Sequence, residues 1–120
     1  MAFNFNNETP IYIQIIEHIK MQIISGEYKS NDKLPSVREL SVAFSVNPNT
    51  VQKALAELES MGLIYTERTN GKFVTNNQEV INEETNRSVK NIINGFYSAM
   101  AKVGLDKKAV LEILSREEIE

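Results

Sequence analysis

The chain has 120 residues, 42% hydrophobic and 24% charged, with a formal net charge of -3 and a pI of about 5.3, enough for one folded core and a short appendage but not for two full-sized domains. The absence of cysteine excludes disulfides, thiolate metal sites and cysteine nucleophiles and suits a reducing compartment. No apolar run nears the length of a bilayer span, and the start MAFNFNNETP has no basic segment followed by an apolar one, so a soluble, cytoplasmic chain without membrane contact is expected.

Thr9 and Pro10 open the first predicted helix, Thr9 as cap and Pro10 at the first helical position. Ile11, Ile15, Ile19 and Ile23 then recur every four positions, and Ser25-Gly26 supplies the stop. The polar stretch that follows reads as loop, with a short strand at Lys33-Leu34. Ser36 and Glu39 match a capping box, in which each side chain satisfies a backbone amide beside the other residue, so a second helix runs from there to about Phe44. Asn47 and Pro48 start a third helix, whose inward stripe is Val51, Leu55 and Leu58 and which reaches Gly62. Residues 63–66 and 72–75 are β-rich, and the Asn70-Gly71 pair between them signals a hairpin turn.

Residues 76–82 are polar and read as the boundary to a second unit. A fourth helix carries Val89, Ile92, Ile93, Phe96, Met100 and Val103 on one stripe and stops at Gly104. Asp106 caps a fifth helix bearing Val110, Leu111, Ile113 and Leu114. Two helices with this much apolar stripe cannot cover each other, and a second copy of the chain is the economical partner. The expected fold is mainly α with a small β-hairpin: a winged helix-turn-helix over residues 1–76, followed by a two-helix dimerisation tail over 77–120. The expected dimerisation residues are Val89, Ile92, Ile93, Phe96, Met100, Val103, Val110, Leu111 and Leu114.

Helix, tight turn, helix and hairpin in that order point to double-stranded DNA as the partner. The acidic net charge does not oppose this, because phosphates meet only the docking face. Residues 44–56 contain no acid and one base, Lys53, and residues 68–78 contain Arg68 and Lys72 without an acid. The third helix would enter the major groove by its N-terminal end, offering Asn49, Thr50, Gln52 and Lys53 to base edges, with Asn47 as its cap. Ser36 and Arg38, opening the second helix, would fix phosphates. Arg68, Asn70, Gly71 and Lys72 would carry the wing toward backbone or minor groove.

Residues 10–74 also resemble the N-terminal domain of GntR-type bacterial transcription regulators. The motifs Leu34-Pro-Ser-Val-Arg-Glu-Leu40, Asn49-Thr-Val51 and Glu57-Leu-Glu59 with Gly62-Leu63 appear in order at the usual spacings. The resemblance implies operator binding by a homodimer, with Arg38 on phosphate and the start of the third helix on bases. Pro48 stands where the family often has arginine, and Thr69 where glycine usually follows the wing arginine. The Asn-Pro-Asn-Thr form and the short tail are similar to the YtrA-like subgroup, whose members often control transporter operons. A repressor reading an inverted-repeat operator is therefore expected.

Each residue also has a plainer reading. For Arg38 it is an ion pair with Glu39 or Asp32 on a solvated face, the default for a lone arginine. Ser36 and Asn47 serve as caps with or without DNA. His18, the one histidine, has no ligand-spaced partner, and Glu83-Glu84 and Glu117-Glu118 read as solvated acids. No metal site, cofactor or catalytic residue is indicated, and an enzyme is disfavoured because no nucleophile with a partnered base is present. An interaction module built on a winged helix is the alternative to a DNA binder, favoured only by the acidic charge. Nothing in the sequence identifies an effector ligand.

Overall fold

A computed structural model describes residues 4–116; Glu117 and Glu118, read above as a solvated pair, lie outside that span. The elements run α1 (Ile11–Ile24), α2 (Val37–Phe44), α3 (Pro48–Ser60), β1 (Ile64–Glu67), β2 (Gly71–Val74), α4 (Gln78–Lys102) and α5 (Lys107–Arg116). This is the mainly helical, winged helix-turn-helix order expected from the sequence. By internal contacts the chain divides into two units, residues 1–82 and 83–120.

In the first unit the isoleucine repeat makes α1 amphipathic, burying Ile15, Ile16, Ile19 and Ile23. They join Leu40 and Phe44 of α2, Val51, Ala54, Leu55 and Leu58 of α3, and Leu63, Ile64 and Val74 of the hairpin in one cluster. Each fully buried side chain of this size stabilises by about 1.5–3 kcal/mol relative to exposure. The start of α1 differs from expectation. Pro10, with ψ 142°, is itself the N-cap, and no side chain caps the helix. Thr9 contributes its carbonyl instead, accepting a 2.7 Å bond from Gln14 Nε2. The same amide pairs both ways with the backbone of Asn6, at 3.0 Å in each direction. Gln14 thus stands in for a neighbouring strand, and that pairing displaces Thr9 from the cap.

The hairpin registers Ile64 with Val74, Tyr65 with Phe73, Thr66 with Lys72 and Glu67 with Gly71. Its turn is therefore the three-residue loop Arg68, Thr69 and Asn70, closed by Asn70 N–H donating to Glu67 O at 3.1 Å, and not a two-residue Asn-Gly turn. Gly71 follows it at φ +109°, a conformation that suits glycine, and a Cβ there would lie 3.2 Å from Lys33 Cε. The predicted strand at Lys33-Leu34 is a bridge from Lys33 to Phe73, extended by Leu34 N–H donating to Lys72 O at 2.8 Å.

The polar segment read as a boundary is helical from Gln78 onward, with Asn77 Oδ1 accepting from Glu79 N–H at 3.1 Å. The physical reason lies in two apolar residues within it: Ile81 is part of the first unit's core and Val80 packs against that core. Their burial favours the first turn of α4, which polarity alone did not suggest.

In the second unit α4 continues to Lys102, and α5 begins after Asp106, whose Oδ1 accepts from Ala109 N–H at 2.9 Å. Val110 is 1% exposed. It belongs to the chain's own interior and not to a seam with another molecule, which corrects its assignment. Glu84 is also buried, with its carboxylate bonded to Arg87 one turn later, so it is not a solvated acid. An (i, i+3) cation offsets the cost of removing that charge from water.

Candidate nucleic-acid interface

Three local structures meet at the proposed docking edge: the start of α2, the turn into α3 with the start of α3, and the wing. Each is specified by short-range bonds. At the start of α2, Ser36 Oγ accepts from Glu39 N–H at 3.1 Å while Glu39 Oε1 accepts from Ser36 N–H at 2.9 Å. Hydrogen bonding to the Glu39 carboxyl, first from the Ser36 backbone N–H and then from the Ser36 side chain, holds it below the usual glutamate range. Both acids that might have neutralised Arg38 are engaged elsewhere, Glu39 in this box and Asp32 in accepting from Lys29 N–H at 2.7 Å. Arg38 is exposed and forms no ion pair within the described residues. Its guanidinium is thus left for an external anion.

The turn between α2 and α3 uses Ser45 in the left-handed conformation, φ 57° and ψ 48°, with its N–H donating to Ser41 O and Val42 O. Asn47 then caps α3, its Oδ1 accepting from Asn49 N–H at 2.8 Å, and Pro48 takes the first helical position. Capping occupies the oxygen of Asn47 and leaves its amide nitrogen to donate. Asn49 and Gln52 are exposed and Thr50 is half-buried, while Val51, Ala54, Leu55 and Leu58 face the core. The exposed face of the first two turns of α3 therefore presents amide and hydroxyl groups, the chemistry that pairs with adenine edges and meets thymine. Lys53 lies differently. Its Nζ sits 3.9 Å from the ring centre of Tyr12, a cation–π contact that ties α3 to α1 and keeps the charge beside the helix end.

The wing distributes its polar groups unevenly. Arg68 is exposed and forms no ion pair within the described residues. Asn70 Nδ2 donates to Glu67 Oε2 at 3.1 Å. Lys72 Nζ lies 3.1 Å from Glu59 Oε1 and 2.8 Å from Thr66 Oγ1, and the Thr66 hydroxyl donates to the same Glu59 oxygen at 2.8 Å. The bonds from Thr66 and Lys72 draw the Glu59 carboxyl below the usual range. Of the wing residues singled out in the sequence, Arg68 alone presents an unengaged cation, and Gly71 contributes backbone shape.

Two participants were missed by sequence reasoning. Lys33 lines the same cleft as Ser36, Arg68 and Lys72, and adds a cation beside the wing. Glu59 reaches from the end of α3 to both strands, and the hairpin register, which sets Thr66 opposite Lys72, was the signal that could have revealed it. Among the described residues no group of three or more His, Cys, Asp or Glu could hold a metal ion. No described helix is long and apolar enough to cross a membrane.

Comparison with known proteins matches residues 11–74 to the family described as bacterial regulatory proteins, gntR family. The chain is 36% identical over 112 residues to YhcF of Bacillus subtilis, an uncharacterised HTH-type transcriptional regulator, covering 93% of each chain. It is 49% identical over 71 residues to the HTH-type transcriptional repressor YtrA of Bacillus subtilis, covering 59% of this chain and 55% of YtrA. Among solved structures, a GntR family transcriptional regulator from Listeria monocytogenes aligns with a TM-score of 0.84 at 39% identity, over 95% of this chain and 100% of that one. The AraR DNA-binding domain, solved in complex with an operator, aligns with a TM-score of 0.57 at 30% identity, over 62% of this chain and 95% of that one.

Proposed function

The chain belongs to the gntR family of bacterial regulatory proteins and is a DNA-binding transcription regulator, and from that premise we propose that it is a homodimeric repressor acting on an inverted-repeat operator. The observation carrying this reading is the polar face at the start of α3, formed by Asn49, Thr50 and Gln52, together with an exposed Arg38 on the first turn of α2 that forms no ion pair among the described residues. Arg38, Ser36 and Asn47 hold phosphates and set the register, while Asn49, Thr50 and Gln52 read bases. Arg68 and Lys33 steady the wing on the neighbouring backbone, with Gly71 and Asn70 shaping its tip. Lys53 contributes long-range attraction from its place over Tyr12.

DNA binding is assigned to the first unit, residues 1–82, and dimerisation to the second, 83–120, a boundary six residues later than the sequence suggested because Val80 and Ile81 pack with the first unit's core. Support for the second role comes from apolar side chains on α4, the turn after it and α5, where Val89, Ile92, Ile93, Phe96, Val103, Leu111 and Leu114 are each 38% or more exposed and Met100 is half-buried. So many large apolar groups in water are costly for a monomer, and a two-fold dimer covers them while presenting two α3 helices to successive major grooves. Repression is supported by the names of YtrA, NagR and the arabinose metabolism repressor among the relatives. Control of a transporter operon and a cytoplasmic location complete the proposal. Sequencing the genomic fragments that the protein retains at fixed physiological salt tests it. Recovery of one inverted-repeat motif is the expected result, and recovery of fragments with no shared motif would overturn it.

A further inference from the structure

A single carboxylate ties the wing to the third helix. Glu59 Oε1, on the last turn of α3, accepts from Thr66 of β1 and lies in ion-pair contact with Lys72 of β2 at 2.8 and 3.1 Å, and Lys72 closes the ring on Thr66 at 2.8 Å. Because Thr66 and Lys72 are register partners, the three groups form one closed clasp across both strands. Lys72 is thereby the one wing cation whose charge is matched, in contrast to Arg68.

We propose that Glu59 is a positioning and specificity-determining residue: it holds the wing against α3 and masks the Lys72 charge from phosphate. This rests on the DNA-binding reading of the site. A lysine on phosphate contributes sequence-independent affinity. Masking it lowers attraction to any duplex and leaves discrimination to the α3 residues. The carboxylate also repels phosphate where the C-terminal part of α3 leaves the groove, which disfavours docking in any other pose.

The test uses the full chain and a random-sequence 25-base-pair duplex, about the length of two half-sites one helical turn apart, with binding followed by anisotropy across a salt series. The variants are E59Q, K72M and the double variant, with thermal midpoints confirming folding. Gln at position 59 keeps an acceptor for Thr66 but no charge for Lys72. E59Q is expected to steepen the salt dependence by about 0.9 in log-log slope, so that roughly threefold more affinity is lost between about 50 and 200 mM salt. K72M, which leaves the Glu59 carboxylate unmatched, is expected to weaken binding at low salt, and the double variant to return to the slope of the unaltered chain. An unchanged slope in E59Q, a steepening that persists in full in the double variant, or a double variant whose slope falls about 0.9 below that of the unaltered chain overturns the inference alone, because Lys72 would then already sit on phosphate or be irrelevant. Failure of the unaltered chain to bind any duplex at low salt overturns the DNA-docking reading and this inference with it.

Discussion

The hydroxyl of Ser41 donates to the carbonyl oxygen of Val46 at 2.5 Å, joining α2 to the residue just before the cap of α3. Backbone bonds reinforce the same turn, with Val46 N–H donating to Ser41 O at 3.1 Å and Ser45 N–H to Val42 O at 3.2 Å. The turn from α2 into α3 is therefore fixed by a few short-range bonds around Ser45, the residue in left-handed conformation.

That conformation costs a residue bearing a Cβ about 1–2 kcal/mol. Ser45→Gly removes the cost while adding entropy to the unfolded chain, so a net stabilisation of about 0.5–1 kcal/mol is expected. The denaturant midpoint at constant m-value measures it. Ser41→Ala, which removes the bridging hydroxyl, is expected to destabilise by about 1 kcal/mol.

Arg38→Ala should weaken binding to all sequences alike and reduce the salt slope by about 0.9, the signature of one lost phosphate contact. Asn49→Ala should instead change base preference at one position of each half-site, by about 1–3 kcal/mol. Binding titrations on a panel of single-base operator variants at fixed salt separate the two. Equal loss of specificity in both variants contradicts the assignment.

The Glu39 carboxyl titrates below its ordinary range because the capping box donates to its charged form, and Glu59 is lowered by its bonds from Thr66 and Lys72. A depressed carboxylate stabilises the fold above the unfolded glutamate pKa, and the contribution is lost as pH falls through the lower, folded value. Stability should decline across that acid window. Glu39→Gln, which keeps an acceptor, should flatten part of the decline while changing neutral-pH stability little, as unfolding curves at a series of pH values would register.

On α4, Ile93 and Phe96 are 45% and 38% exposed. Ile93→Asp or Phe96→Asp should shift a dimer to monomer in sedimentation at micromolar concentration without lowering the monomer's helicity. Val110→Ala is expected to act on the fold instead, at about 2 kcal/mol, because the side chain is 1% exposed and its methyls leave a cavity.

Much of this molecule was legible from residue order because the deciding interactions span three or four residues. The Ser36–Glu39 box, the Asn47–Pro48 start of α3 and the four-residue isoleucine period of α1 depend on bonds and faces within one element, which local chemistry specifies. The errors arose where a distant partner outweighed local preference. Thr9 lost the cap because Gln14 draws its carbonyl; residues 78–82 are helical because Val80 and Ile81 reach the core; Val110 and Glu84 are buried though their spacing suited an exposed face. The proposed interface divides in the same way. Its polar face on α3 follows from the period of the inward residues. Which cations are available to phosphate was decided by tertiary contacts alone, since Lys53 over Tyr12 is 41 positions from its partner ring and Lys72 is 13 from Glu59. A charge count treats Arg38, Lys53, Arg68 and Lys72 as equals, whereas the folded chain pairs two of them, because an ion pair or ring contact needs proximity in space that only packing supplies.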